Sequence, residues 1–170
     1  CEASKSRMYH YFASKEAMLE EMLTQHVATL VQMAAEVVAL PLDPRDKLRR
    51  YVALHLRHYY ESRDRHTVLI EDADHLPAEG RAAVERSEQQ LVAMLVSLLQ
   101  QIQPERLRDH HLATADAMLI YGMLNWTYTW YRPSGRLTLD ALADRATRLC
   151  LYGIAGDTSP GADPDRVVAR

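Results

Sequence analysis

Ser4-Lys5-Ser6-Arg7-Met8-Tyr9-His10-Tyr11-Phe12-Ala13-Ser14-Lys15-Glu16 is a short, basic and aromatic stretch. Met8 and Phe12 stand four apart, the spacing that anchors one face of a small helix against a larger body. The cations up to Glu16 are Lys5, Arg7 and Lys15, against the single earlier acid Glu2. The chain as a whole carries a net charge of -3, so this positive excess is local. Cations hold phosphates while planar and hydroxyl side chains reach base edges, which makes the stretch suited to reading nucleic acid. A solvated amphipathic turn is the competing reading.

Beyond this stretch, the 170 residues suffice for one domain, or for a small module joined to a larger one, with a sizeable core. Glycine is scarce, at 6 residues, and apolar residues recur at three-four spacing almost throughout. Both features argue for an all-α architecture and against a sheet. The two cysteines, Cys1 and Cys150, lie at opposite ends, which argues against a structural disulfide and for a reducing compartment. No apolar run approaches the ~18–20 residues needed to cross a bilayer, and the first residues lack the pattern of a signal peptide. The expectation is a soluble, cytoplasmic protein with no membrane partner.

Taken in order, Ser4 is placed to cap a two-turn helix ending near Tyr11, and Ser14 to cap a second beginning at Lys15. The second helix carries Leu19, Met22, Leu23, His26, Leu30, Met33, Ala34 and Val37 as one stripe until Leu40-Pro41 ends it. A helix of this length leaving a small module is a natural lever. Asp43-Pro44 starts the next, with Leu48, Tyr51, Val52, His55, Leu56 and Tyr59 on its apolar face. A shorter helix is expected from Asp64 to His75. Pro77 starts another, whose core face is Val84, Leu91, Met94, Leu95, Leu98 and Ile102.

From Arg108 to Tyr131 the sequence reads as one helix, apolar nearly all round and therefore covered on more than one side. After Pro133-Ser134-Gly135, Thr138 caps a last helix with a stripe rich in small residues. These two helices are expected to pair with a second copy as a four-helix bundle, giving a homodimer. The expected interface is Met123, Leu124, Tyr128, Leu139, Leu142, Ala143, Ala146, Leu149, Cys150 and Gly153. Coverage of both helices within one chain is the alternative. The domains are expected at 1–24, 25–156 and, as a disordered tail, 157–170.

The stretch from Ser4 to Leu19 resembles the recognition-helix segment of the TetR family of bacterial repressors, through its core Tyr9-x-Tyr11-Phe12-x-Ser14-Lys15-Glu16. It departs from the family's pattern conservatively, at Ala3 and Met8. The resemblance implies a TetR-type repressor with a truncated helix-turn-helix module and a helical ligand-binding and dimerisation domain. Ser4, Lys5, Ser6, Arg7, Tyr9, His10 and Tyr11 would then face double-stranded DNA in the major groove, with Lys15 on a phosphate and a palindromic operator to match the dimer. Arg7 has the fork to take guanine through O6 and N7. The family's first and positioning helices would precede Ser4, whereas the chain starts at Cys1. The chain as it stands is therefore expected to bind its operator poorly.

Asn125-Trp126 ahead of Trp130-Tyr131-Arg132-Pro133-Ser134-Gly135, and the junction from Asp72 to Arg81, resemble the branch of that family that responds to acyl-CoA thioesters in fatty-acid, phenylacetate or steroid breakdown. The resemblance implies an acyl-CoA effector. An acyl chain needs an apolar tunnel, which Tyr59, Met94, Leu98, Met118, Tyr121 and Trp126 are able to line. Asn125 is a candidate partner for the thioester carbonyl. Trp130, Tyr131, Arg132 and Arg136 offer a flat surface and cations for the coenzyme A part. Ordinary core or dimer packing is the other reading of the aromatic residues. Another small hydrophobic ligand, of the efflux or stress type, and a helical module that binds protein rather than DNA are the alternative functions.

No phosphate loop, Cys-x-x-Cys or nucleophile elbow is present in the sequence, so an enzyme is not expected. No cofactor is expected either. His55 and His58, with Glu71, Asp72 and His75 on another helix, bring a metal site to mind. His55 falls on an apolar stripe, where a hydrogen-bonded core histidine is commoner, and no metal is assigned.

Overall fold

The computed structural model describes residues 14–153, and every described element is helical. The recognition stretch before Ser14 and the expected tail at 157–170 lie outside the described residues. Helix α1 (Lys15–Ala39) starts where expected, because the Ser14 hydroxyl accepts the Ala17 amide at 3.1 Å. It runs without interruption through the position where the sequence places a domain boundary. Its C-terminal end is tied to the next element by Lys47, whose ammonium donates to the Val38 carbonyl at 2.8 Å.

Helix α2 (Pro44–Glu61) has proline in its first turn and Asp43 capping the Arg45 amide. All six residues of its expected apolar face are buried. Helix α3 spans Arg63–Asp72, and a 3-10 turn, Ala73–His75, finishes the segment expected to be one helix. Helix α4 (Ala78–Ile102) is the other long element, and it packs along α1. Gly80 is buried in that packing, and a Cβ there would stand 2.6 Å from Cγ of the Glu20 side chain.

The expected helix from Arg108 to Tyr131 is two. Helix α5 covers His110–Asn125, and after a break at Trp126 the short α6 covers Thr127–Trp130. Two threonine hydroxyls bond backbone carbonyls at the break. Thr127 donates its hydroxyl to the Leu124 carbonyl at 2.7 Å, and Thr129 donates to the Trp126 carbonyl at 2.8 Å, taking up carbonyls on either side of the break. Helix α7 (Leu139–Tyr152) starts at the Thr138 cap and ends at Gly153, whose φ of 69° suits glycine.

Helices α1, α2 and α4 hold the middle of the core, with α5 against α4 and α7 against α2. On the outer side of that last pair, Arg49 meets Asp144 and Arg57 meets Asp140. The packing therefore stacks the later helices against the long helix α1, and leaves a gap where five helices meet.

Candidate functional site

That gap is a cavity of about 170 Å³. Helix α1 gives it Val27 and Leu30, and α2 gives Tyr59. Helix α3 contributes His66, Leu69 and Ile70, α4 contributes Glu88, Leu91 and Val92, and α5 contributes Met118, Tyr121 and Asn125. Four of the residues expected at a ligand site, Tyr59, Met118, Tyr121 and Asn125, thus line one cavity. Met94 and Leu98 lie farther along α4, outside the cavity lining, and Leu98 is wholly buried. Trp126 and Trp130 are 63% and 50% exposed. Tyr131 is buried edge-on to Tyr60, and Arg132 and Arg136 are exposed. The Arg132 guanidinium bonds the carbonyls of Thr129 and Tyr131, closing its own turn.

The wall is built on a network of tyrosines and histidines that the apolar periodicity only partly disclosed. Tyr51 donates to the Leu91 carbonyl at 3.0 Å, so the 2.6 Å contact between the Tyr51 and Tyr121 hydroxyls is a bond donated by Tyr121. His55 is wholly buried, and its Nδ1 lies 2.8 Å from the Tyr51 carbonyl. A carbonyl only accepts, so Nδ1 carries the proton and Nε2 is the free acceptor. His66 stacks on Tyr59 with ring centroids 3.8 Å apart. Behind it His26, on α1, stacks on His58, on α2, at 4.6 Å.

Burial keeps these imidazoles neutral. It pushes His26 and His55 down to about 4, with the nearby His58 adding repulsion in both. His66 is pushed to about 3, again chiefly by burial and then by His26, His58 and His55. Loss of solvent also raises the Tyr51, Tyr59 and Tyr121 hydroxyls. Glu88 is reached by solvent at the cavity rim, yet the surrounding protein still raises its carboxyl, and Glu85 adds to the effect.

His66 and Glu88 were not among the residues expected here. His66 sits on a short, strongly charged helix with little amphipathic signal, and Glu88 lies in the charged half of α4; neither pattern marks a cavity. Among the described residues no three His, Cys, Asp or Glu side chains are grouped to hold a metal ion. Of the metal candidates, His55 is packed between Tyr51 and Tyr121, and His75 pairs with Asp72 at an exposed 3.7 Å. Lys15, the described member of the expected DNA contacts, is exposed at the start of α1.

The residues expected at a dimer interface divide. Leu124, Leu142, Ala143 and Ala146 are buried within the single chain. Met123, Tyr128, Leu139, Leu149 and Cys150 are half-buried, and Gly153 is exposed. The open apolar surface along α5 and its C-terminal cap is Leu112, Leu119 and Trp126, at seven-residue spacing, with Leu119 72% exposed.

A bundle of helices that closes a small cavity behind one long leading helix is the architecture of a TetR-type sensor domain. Residues 41–154 match the model of the tetracyclin repressor-like C-terminal domain, and the chain belongs to the TetR family of transcriptional regulators. A TetR-family transcriptional regulator from Bordetella parapertussis is 42% identical, with a TM-score of 0.84 over 88% of this chain and 78% of that one. The HTH-type transcriptional repressor KstR2 of Rhodococcus jostii is 27% identical over 153 residues, 87% of this chain and 74% of that protein. AibR, solved with isovaleryl coenzyme A and operator DNA, shares the fold with a TM-score of 0.73 at 22% identity, over 85% of this chain and 79% of that one. Regulators of this family are not enzymes. No described helix is long and apolar enough to cross a membrane.

Proposed function

We propose that the protein is a homodimeric repressor that holds a palindromic operator and is released by a small effector, an acyl-CoA thioester whose acyl group enters the five-helix cavity. The observation that carries this reading is the position of the cavity: Val27 and Leu30 of its wall belong to α1, the helix that continues from the recognition stretch. Filling the cavity acts directly on the lever. The ligand works as a switch if it binds the released state better, by ~1–3 kcal/mol.

Size favours a short acyl group. A cavity of about 150 Å³ takes a benzene-sized guest, and this one is about 170 Å³. The isovaleryl coenzyme A bound to AibR is a precedent of that size on the same fold. Leu112, Leu119 and Trp126 support the second copy, because an open apolar stripe at this spacing is covered by a partner helix. Gel shifts of the protein expressed from the whole open reading frame, on its own promoter, test the reading. Short acyl-CoA thioesters should release the DNA; a shift unchanged by a panel from acetyl-CoA to steroid thioesters refutes the effector class.

A further inference from the structure

Most of the cavity wall is aliphatic or aromatic, yet it carries polar atoms that the protein leaves unpaired. His66 is 1% exposed, and neither ring nitrogen has a hydrogen-bond partner. The Asn125 backbone opposes the fall in its pKa, yet no hydrogen bond of ordinary geometry joins the two. Oδ1 of Asn125 is likewise buried and unpaired. The hydroxyl of Tyr59, a residue 5% exposed, bonds to nothing among the described residues, although the neighbouring Tyr51 and Tyr121 hydroxyls satisfy each other. Buried polar atoms are almost always paired, and the unpaired atoms of His66 and Asn125 line one space with Tyr59, whose hydroxyl is open rather than sealed in.

We infer that the buried end of the effector is not a bare hydrocarbon but carries a neutral hydroxyl, held by His66, Asn125 and Tyr59. The inference rests on the cavity being the effector site. A neutral imidazole offers one donor and one acceptor, the Asn125 oxygen accepts, and a tyrosine hydroxyl does both. A hydroxyl is the smallest group that answers such a set with a donor and an acceptor of its own. An anionic end is disfavoured, because no cation lines the cavity and Glu88 stands at its rim. Within the acyl-CoA reading, the class is therefore a short hydroxyacyl thioester.

Titration calorimetry on the whole protein with two matched pairs tests this: butyryl-CoA against 3-hydroxybutyryl-CoA, and benzene against phenol. The hydroxylated member of a pair that binds is expected to do so at least about ten-fold more tightly. The preference should shrink toward unity in Tyr59→Phe, which keeps the ring stack, and in His66→Phe. Equal or weaker binding of the hydroxylated members, or a preference unchanged in both variants, overturns the inference. If phenol binds better than benzene while neither thioester binds, the acyl-CoA reading falls and the hydroxyl inference stands. If no probe binds, both fall, and the unpaired atoms are served by water alone.

Discussion

Nε2 of His58 lies 3.2 Å from Nδ1 of His26, so two neutral imidazoles join α2 to the leading helix α1. One of the two nitrogens donates and the other accepts, an arrangement that a proton on both rings destroys.

Acid should therefore loosen this joint. Each buried histidine has its pKa lowered in the folded state, so the unfolded chain binds protons first as pH falls. The stability these groups contribute is complete above about 6.5 and is lost as pH drops toward about 4 for His26 and His55 and about 3 for His66. For wholly buried His55 the shift from 6.5 to about 4 corresponds to about 3 kcal/mol, at ~1.36 kcal/mol per unit. Urea midpoints measured from pH 7.5 to pH 4 should fall steeply over this window. A flat profile would contradict the neutral packing.

The tyrosine pair should respond asymmetrically. Tyr121→Phe leaves Tyr51 bonded to the Leu91 carbonyl, whereas Tyr51→Phe strips both that carbonyl and the Tyr121 hydroxyl. The expected losses are within about 1 kcal/mol for Tyr121→Phe and about 1–3 kcal/mol for Tyr51→Phe. Equilibrium denaturation of the two variants checks the order.

Gly80 should accept a side chain once the Glu20 side chain moves aside. Gly80→Val pushes into the Glu20 side chain, whose outer atoms can swing aside, and is expected to cost at most about 1 kcal/mol. Adding Glu20→Ala should recover part of that loss, which a double-mutant cycle in urea would measure. Independent, additive effects would mean that the Glu20 side chain swings aside at no cost.

The open stripe of α5 should decide oligomeric state. Leu119→Glu places a charge in the middle of Leu112, Leu119 and Trp126 and should convert a dimer to monomer in native mass spectra at micromolar concentration. Leu142→Ala is the contrasting variant. Leu142 is buried within the chain, so this change should lower stability by about 2–5 kcal/mol without selectively splitting the dimer.

Much of the fold was legible because helix boundaries are local. Ser14, Asp43 and Thr138 cap helices through their own side chains within three residues, and Leu40-Pro41 ends one wherever it stands. The α2 face from Leu48 to Tyr59 follows from periodicity alone, since one side of that helix is covered. The break at Trp126 leaves no periodic mark, because apolar content continues through it.

By itself, then, the sequence determined an all-helical chain, most helix starts, and the motif that marks a TetR-type regulator. Only the tertiary structure decided which residues share a space. His26, His58 and His66 come from three helices, and their approach depends on how α1, α2 and α3 pack rather than on spacing within any one. The same is true of Glu88 at the cavity rim, and of Leu142, Ala143 and Ala146, buried inside the chain where the pattern suggested a partner. A helical stripe shows that a face is covered; the arrangement of the helices determines what covers it.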